Sequence, residues 1–114
     1  MNIGINVKFD SCHFLPNYIG KCSNVHGHTW RMTVEIKGEI DLVSGFVKDF
    51  TELKTDVNDL INSLDHRSLN QVLFNPTCEN LVNYCWNYLT ECGYTLKKLS
   101  LQEGDGGYAY REQD

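Results

Sequence analysis

Four histidines, five cysteines and a handful of carboxylates carry most of the chemistry open to this 114-residue chain. His26 and His28 stand in the run Cys22-Ser-Asn-Val-His26-Gly-His28. Side chains alternate along a strand, so His26 and His28 share a face if the strand that follows reaches back to them. Trp30, Met32 and Val34 have the same parity. His13 in turn matches the phase of Ile3, Ile5, Val7 and Phe9. Three imidazoles on the inward faces of two neighbouring strands can meet around one metal ion. A His₃ set leaves a fourth tetrahedral position open, which is the arrangement of a catalytic rather than a structural zinc. The competing account is three unrelated core or loop histidines with satisfied hydrogen bonds.

Cys22 stands four residues before His26. Beside a zinc ion or a cationic imidazole its thiol ionises near neutrality and can act as base or nucleophile. As a fourth zinc ligand it would instead close the site, and as an ordinary cysteine it would only fill space. Asp65 and His66 are adjacent, and adjacent residues on a regular element do not face each other, so a local dyad requires the chain to turn there. Glu103 follows Leu99 and Leu101 on one strand face. It either emerges into solvent at the strand end or accepts a bidentate pair of N–H bonds from a ligand. Thr77 and Glu79 open a helix. There they serve as capping residues or lie where free backbone N–H groups meet a polar ligand.

The elements that must position these residues follow from periodicity. Alternation predicts a first strand over residues 3–10 and a second over residues 29–37, paired antiparallel across the intervening turn. Phe50, Leu53, Val57, Leu60, Ile61 and Leu64 form a helical stripe, with Asp49 as its cap and Glu52 completing a capping box. A second helix starts near Asn75-Pro76-Thr77, buries Leu81, Val82, Cys85, Trp86 and Leu89, and ends at Gly93. Strands over residues 96–103 and 108–111 flank a Gly-Asp-Gly-Gly turn. The order ββααββ predicts an α+β fold: a four-stranded antiparallel sheet with two helices on one face, in one domain spanning residues 1–114.

A net charge of -5 argues against nucleic acid as a partner. No stretch approaches the roughly 20 apolar residues of a membrane span, and no export signal is visible, so a cytoplasmic protein is expected. Cys12, Cys22, Cys78, Cys85 and Cys92 make an odd set with no C-x-x-C pair, which speaks against a disulfide framework. The seven-residue spacing of the last three places them along one side of a helix as small, partly buried residues.

Six stretches, taken together, resemble the superfamily of 6-pyruvoyltetrahydropterin and 6-carboxytetrahydropterin synthases. They are Phe9-Asp-Ser-Cys-His13-Phe-Leu, Lys21-Cys22-Ser-Asn-Val-His26-Gly-His28, Gly45-Phe-Val-Lys-Asp49-Phe, Leu64-Asp65-His66-Arg-Ser-Leu-Asn70, Asn75-Pro-Thr77-Cys-Glu79-Asn-Leu81, and Glu103 before the final strand. The resemblance implies a tunnelling fold whose sheets join into a trimeric barrel, two trimers stacking as a homohexamer. It implies zinc held by His13, His26 and His28. Cys22 would be the catalytic thiol, assisted by Asp65 and His66 across a subunit interface, with Glu103, Thr77 and Glu79 at the pterin. The three-residue spacer between Cys22 and His26 resembles the queuosine-pathway branch. That branch implies conversion of 7,8-dihydroneopterin triphosphate to 6-carboxy-5,6,7,8-tetrahydropterin, acetaldehyde and triphosphate. The alternatives are triphosphate elimination to a 6-pyruvoyl product, and a non-catalytic zinc-binding assembly protein. Two positions depart from the family pattern: Cys78, where Ser, Ala or Thr is usual, and Gly104, where Thr is usual.

Overall fold

Alternating apolar residues in the first segment build β1 (Asn2–His13), and those of the second build β2 (His26–Lys37). The computed structural model describes residues 1–114. Both strands outrun the sequence expectation at the same end, β1 continuing past Asp10 and β2 beginning before Thr29. Ser11, Cys12, His13, His26 and His28 give no apolar alternation to read, yet their backbones pair in full: Ser11 lies opposite His28, and His13 opposite His26. The histidines therefore sit on regular strand, not on loops.

β3 (Leu96–Glu103) pairs with β2, and β4 (Tyr108–Glu112) pairs with β3, giving an all-antiparallel sheet in the order β1-β2-β3-β4. The register stacks Phe9, Trp30 and Glu103 across one row and Val7, Met32 and Leu101 across the next. One sheet face is thus apolar until its last rows, where Ser11, His13, His26, His28 and Glu103 take over. The opposite face carries Asn6, Lys8, Arg31, Thr33, Ser100 and Gln102, a polar surface.

Two helices cover the apolar face. α1 (Phe50–Asn62) buries Leu53, Val57, Leu60 and Ile61, and α2 (Cys78–Glu91) buries Leu81, Val82, Cys85, Trp86 and Leu89. Together with Trp30, Met32, Val34, Leu99 and Leu101 they form a continuous core. Each such side chain contributes about 1.5–3 kcal/mol on burial. Asp49 caps α1 by accepting from the Thr51 N–H at 2.8 Å. The other half of the expected capping box is absent, because Glu52 turns to the Lys48 ammonium at 3.3 Å. Phe50 belongs to the expected stripe but is exposed, since it sits on the first helical residue, ahead of the covered turns. Cys78 and Cys85 are buried, whereas Cys92 caps the end of α2 and is exposed.

A short segment after α1 returns to the outer edge of β1. The Cys12 N–H donates to the Arg67 carbonyl at 3.1 Å, the His66 N–H donates to the Asp10 carbonyl at 2.6 Å, and Cys12 bridges Ser68 in parallel. Ser11 Oγ donates to the Leu64 carbonyl from beneath. This edge contact places residues 65–68 beside the histidine end of the sheet.

Candidate active site

The sheet brings His13, His26 and His28 together by register. His13 and His26 are directly opposed, and directly opposed side chains are the closest neighbours a sheet provides. Their ring centroids lie 4.6 Å apart, with His28 4.8 Å from His26 and 5.2 Å from His13. Trp30 closes the floor, its ring 5.1 Å from His13 and 5.5 Å from His28.

Two of the three rings are oriented by carbonyl oxygens. His13 Nδ1 is 2.8 Å from the Pro76 carbonyl, and His26 Nδ1 is 2.7 Å from the Asn24 carbonyl. A carbonyl can only accept, so each Nδ1 carries the proton and each Nε2 keeps its lone pair. This is the arrangement by which metal-bound histidines are usually fixed. His13 is 1% exposed, and its Nε2 has no hydrogen-bond partner; neither does the buried Nε2 of His28. Buried ring nitrogens are rarely left unsatisfied without cause. The donor set therefore fits a zinc ion, and its residues are the three expected ones.

Glu103 adds a fourth donor, a carboxylate oxygen, its ligand atom lying within 4.8 Å of those of the three histidines. Its Oε1 is 2.8 Å from His28 Nε2, without hydrogen-bond alignment, and 3.7 Å from His13 Nε2. Burial lowers the His28 pKa below its ordinary value; Glu103 opposes that shift, while His13 and His26 add to it. Cys22 is not a member of this group. It lies half-buried in the single turn Lys21–Ser23, so the fourth donor beside the three histidines is a carboxylate and not the thiol that sequence reasoning left open.

Asp65 and His66 form a dyad of their own. His66 adopts φ 56°, the only non-glycine residue with positive φ, and its Nδ1 stands 2.9 Å from Asp65 Oδ2. The other carboxylate oxygen of Asp65 accepts from the Asp10 N–H at 2.9 Å. That backbone donor, and then His66, holds the Asp65 pKa below the usual range; the bond to Asp65 raises that of His66. The turn at His66 meets the condition under which two neighbouring residues can face each other. An open cleft of about 550 Å³ is lined by Cys12, Thr29 and Arg67 together with His66 of the dyad and His28 of the histidine group.

The remaining candidates divide. Thr77 caps α2, its Oγ1 accepting from the Asn80 N–H at 3.1 Å, and directly follows the Pro76 carbonyl that holds His13. Glu79 faces a different groove, with Asn83, Tyr110 and Arg111. Cys78 donates to the Leu101 carbonyl at 3.1 Å, and burial pushes its thiol up to about 11, so it is a packing residue. Gly104 takes φ 63°, which a β-branched residue would adopt only under strain. Sequence reasoning missed Asp10, whose backbone serves both members of the dyad. It also missed the clamp in which the Asn70 amide meets the Phe14 N–H and C=O at 2.9 Å each. Neither has a sequence signal, because both depend on backbone groups brought from far along the chain.

The fold agrees with what the chain is similar to. The family profile described as 6-pyruvoyl tetrahydropterin synthase matches residues 2–114. A putative 6-carboxy-5,6,7,8-tetrahydropterin synthase of Archaeoglobus fulgidus is 35% identical over 109 residues, covering 96% of this chain and 93% of its own. A dihydroneopterin monophosphate aldolase of Pyrococcus furiosus is 37% identical over 101 residues, covering 86% and 85%. The structure of the Caenorhabditis elegans 6-pyruvoyl tetrahydropterin synthase superposes with a TM-score of 0.87 at 25% identity, covering 100% of this chain and 96% of that one. The chain belongs to the 6-pyruvoyl tetrahydropterin synthase family.

Proposed function

We propose that this protein is a zinc-dependent carbon–carbon lyase of queuosine biosynthesis. It converts 7,8-dihydroneopterin triphosphate and one water to 6-carboxy-5,6,7,8-tetrahydropterin, acetaldehyde and triphosphate. The observation that carries the reading is the convergence of His13, His26 and His28 with two buried Nε2 atoms left unpartnered. The similarity to the Archaeoglobus relative and the spacing of Cys22 from His26 support the choice of product.

In this reading His13, His26 and His28 hold the zinc, which when bound supplies Lewis-acid stabilisation of developing negative charge on substrate oxygen. Glu103 accepts the amino and ring N–H groups of the pterin as a bidentate pair. Thr77, at the start of α2, directly follows the Pro76 carbonyl that holds His13 and so borders the same ligand. Cys22 acts as a thiolate base and takes up a substrate proton. His66 returns one, and Asp65 keeps the proton on His66 Nδ1 so that Nε2 is the face presented to substrate. Because Cys22 lies outside the cleft that His66 lines, the two meet between copies of the chain in a homohexamer of cytoplasmic location.

A second reading, a retro-aldol cleavage of dihydroneopterin monophosphate, is favoured by one observation. The cleft beside His66 has a single permanently cationic side chain, Arg67, with the Asp10 carboxylate nearby, which suits a less charged leaving group better than triphosphate. Mass spectrometry of products from the zinc-loaded protein given each substrate separates the two. Carboxypterin with acetaldehyde from the triphosphate is expected. A pyruvoyl product or a phosphorylated aldehyde reassigns the reaction, and two unchanged substrates would leave a non-catalytic zinc protein.

A further inference from the structure

Glu103 has two claims on it. Its Oε1 already lies among the imidazole nitrogens, 2.8 Å from His28 Nε2 and 3.7 Å from His13 Nε2. Donor atoms that share a tetrahedral zinc at about 2.0–2.1 Å stand about 3.4 Å from one another. The two separations fall on either side of that value, so the oxygen lies close to where a ligand shared with His13 and His28 would stand. The pterin reading asks the same carboxylate to accept two N–H bonds at once, which takes both of its oxygens. An oxygen committed to a metal is not free to take its half of that pair until it withdraws.

The backbone permits that withdrawal without disturbing the sheet. The Glu103 N–H is held by the Gly107 carbonyl at 2.9 Å, and the next N–H, of Gly104, donates to the Thr29 carbonyl at 3.0 Å. The Glu103 carboxylate, by contrast, makes no hydrogen bond that would anchor it; its contacts are the two histidine nitrogens. Its side chain is 28% exposed, beside a His13 that is 1% exposed, so one end of its swing is the buried metal group and the other is solvent. A fixed strand end carrying an unanchored carboxylate is the construction of a displaceable ligand.

We propose that Glu103 is the fourth metal ligand of the resting protein, and that binding of the pterin ring draws it off the metal and opens the coordination position. The inference rests on the metal-and-pterin reading above and adds a gate to it. A site with four protein ligands is closed, whereas one with three admits a further oxygen. Opening is then coupled to recognition: only a ligand offering a paired N–H edge to Glu103 exposes the Lewis acid. Water and small anions are excluded until the substrate is seated, which protects the reduced pterin from unproductive chemistry.

The test uses the full chain loaded with cobalt(II), whose visible spectrum reports coordination, with azide as a small-anion probe and unsubstituted pterin as a ring without a side chain. Wild-type protein is expected to bind azide weakly alone and at least about tenfold more tightly when saturated with pterin. Glu103→Ala is expected to bind azide tightly without pterin. It should also lose about 10–100-fold in zinc affinity, measured by competition with a chromophoric chelator. Glu103→Gln, nearly isosteric, repeats both measurements without the risk of a disturbed strand end. Azide binding indifferent to both pterin and residue 103, in protein that takes up cobalt, overturns the gate and leaves the metal reading intact. Wild-type protein that takes up no cobalt overturns both.

Discussion

Asp65 and His66 are neighbours in the chain and nevertheless face each other, Oδ2 to Nδ1 at 2.9 Å, because His66 turns the backbone to φ 56°. The pairing raises the His66 pKa and lowers that of Asp65. For stability the signs differ. The histidine's contribution is full below its unfolded value and lost as pH rises through its folded one. The carboxylate's contribution is full above its unfolded value and lost as pH falls through its folded one. For catalysis the raised value means that a proton-donating imidazolium persists further into the alkaline range. Asp65→Asn should therefore move the alkaline limb of the kcat profile to lower pH, toward the ordinary imidazole value of about 6.5. An unmoved limb in a still-active variant would remove His66 from the proton path.

The left-handed backbone at position 66 separates the role of the ring from that of the fold. Glycine adopts this region freely, and alanine does so at a cost of about 1–2 kcal/mol. Both His66→Gly and His66→Ala should lose turnover. In urea titrations the glycine variant should be the more stable of the two by about 1 kcal/mol, the larger unfolded-state entropy of glycine offsetting part of the difference. Equal stabilities would mean that the turn relaxes once the imidazole is gone.

Cys22 and His66 offer a test of where the active site is assembled. Cys22→Ala and His66→Ala should each be inactive with zinc content unchanged. Mixed after mild dissociation and reassembly, the two inactive proteins should regain activity, since some interfaces then pair an intact Cys22 with an intact His66. Mixtures that assemble and stay inactive would place both residues in one subunit's site.

His13 and His26 should differ in the metal-free protein although the proposed function gives both to the metal. Replacing His13 with Ala strips a buried carbonyl, that of Pro76, of its donor, at a cost of about 1–3 kcal/mol before any cavity is counted. Replacing His26 frees the Asn24 carbonyl on an exposed residue, where water can take over. Chemical denaturation after chelation should therefore find His13→Ala much the less stable, with zinc binding impaired in both. Equal stabilities would remove the structural role assigned to the His13 hydrogen bond.

Much of this was legible in the residues themselves. The phase shared by His13 and Phe9, and by His26, His28 and Trp30, placed three imidazoles on inward faces, and the helical stripes placed both helices over them. The rest was set by contacts between distant segments. Trp30 lies opposite Glu103 in the register, which brings that carboxylate diagonal to His28, and no spacing along the chain encodes a cross-strand register. The Asp65–His66 dyad depends on one positive φ that non-glycine residues seldom take. The full lengths of β1 and β2 were hidden because polar and histidine residues at their ends pair through backbone alone. Glu52 had the right spacing for a capping box and went to Lys48, a choice between two partners of similar strength that sequence does not decide.

The Pro76 carbonyl that fixes His13 belongs to the residue before the cap of α2, so the bond spans 63 positions of the chain. A ligand pulling on the imidazole from one side tightens the helix start on the other. Occupancy of the centre becomes legible at a distance, as slowed amide hydrogen exchange in the first turn of α2. The segment bearing Thr77 should then be the better ordered when the imidazoles have something to hold.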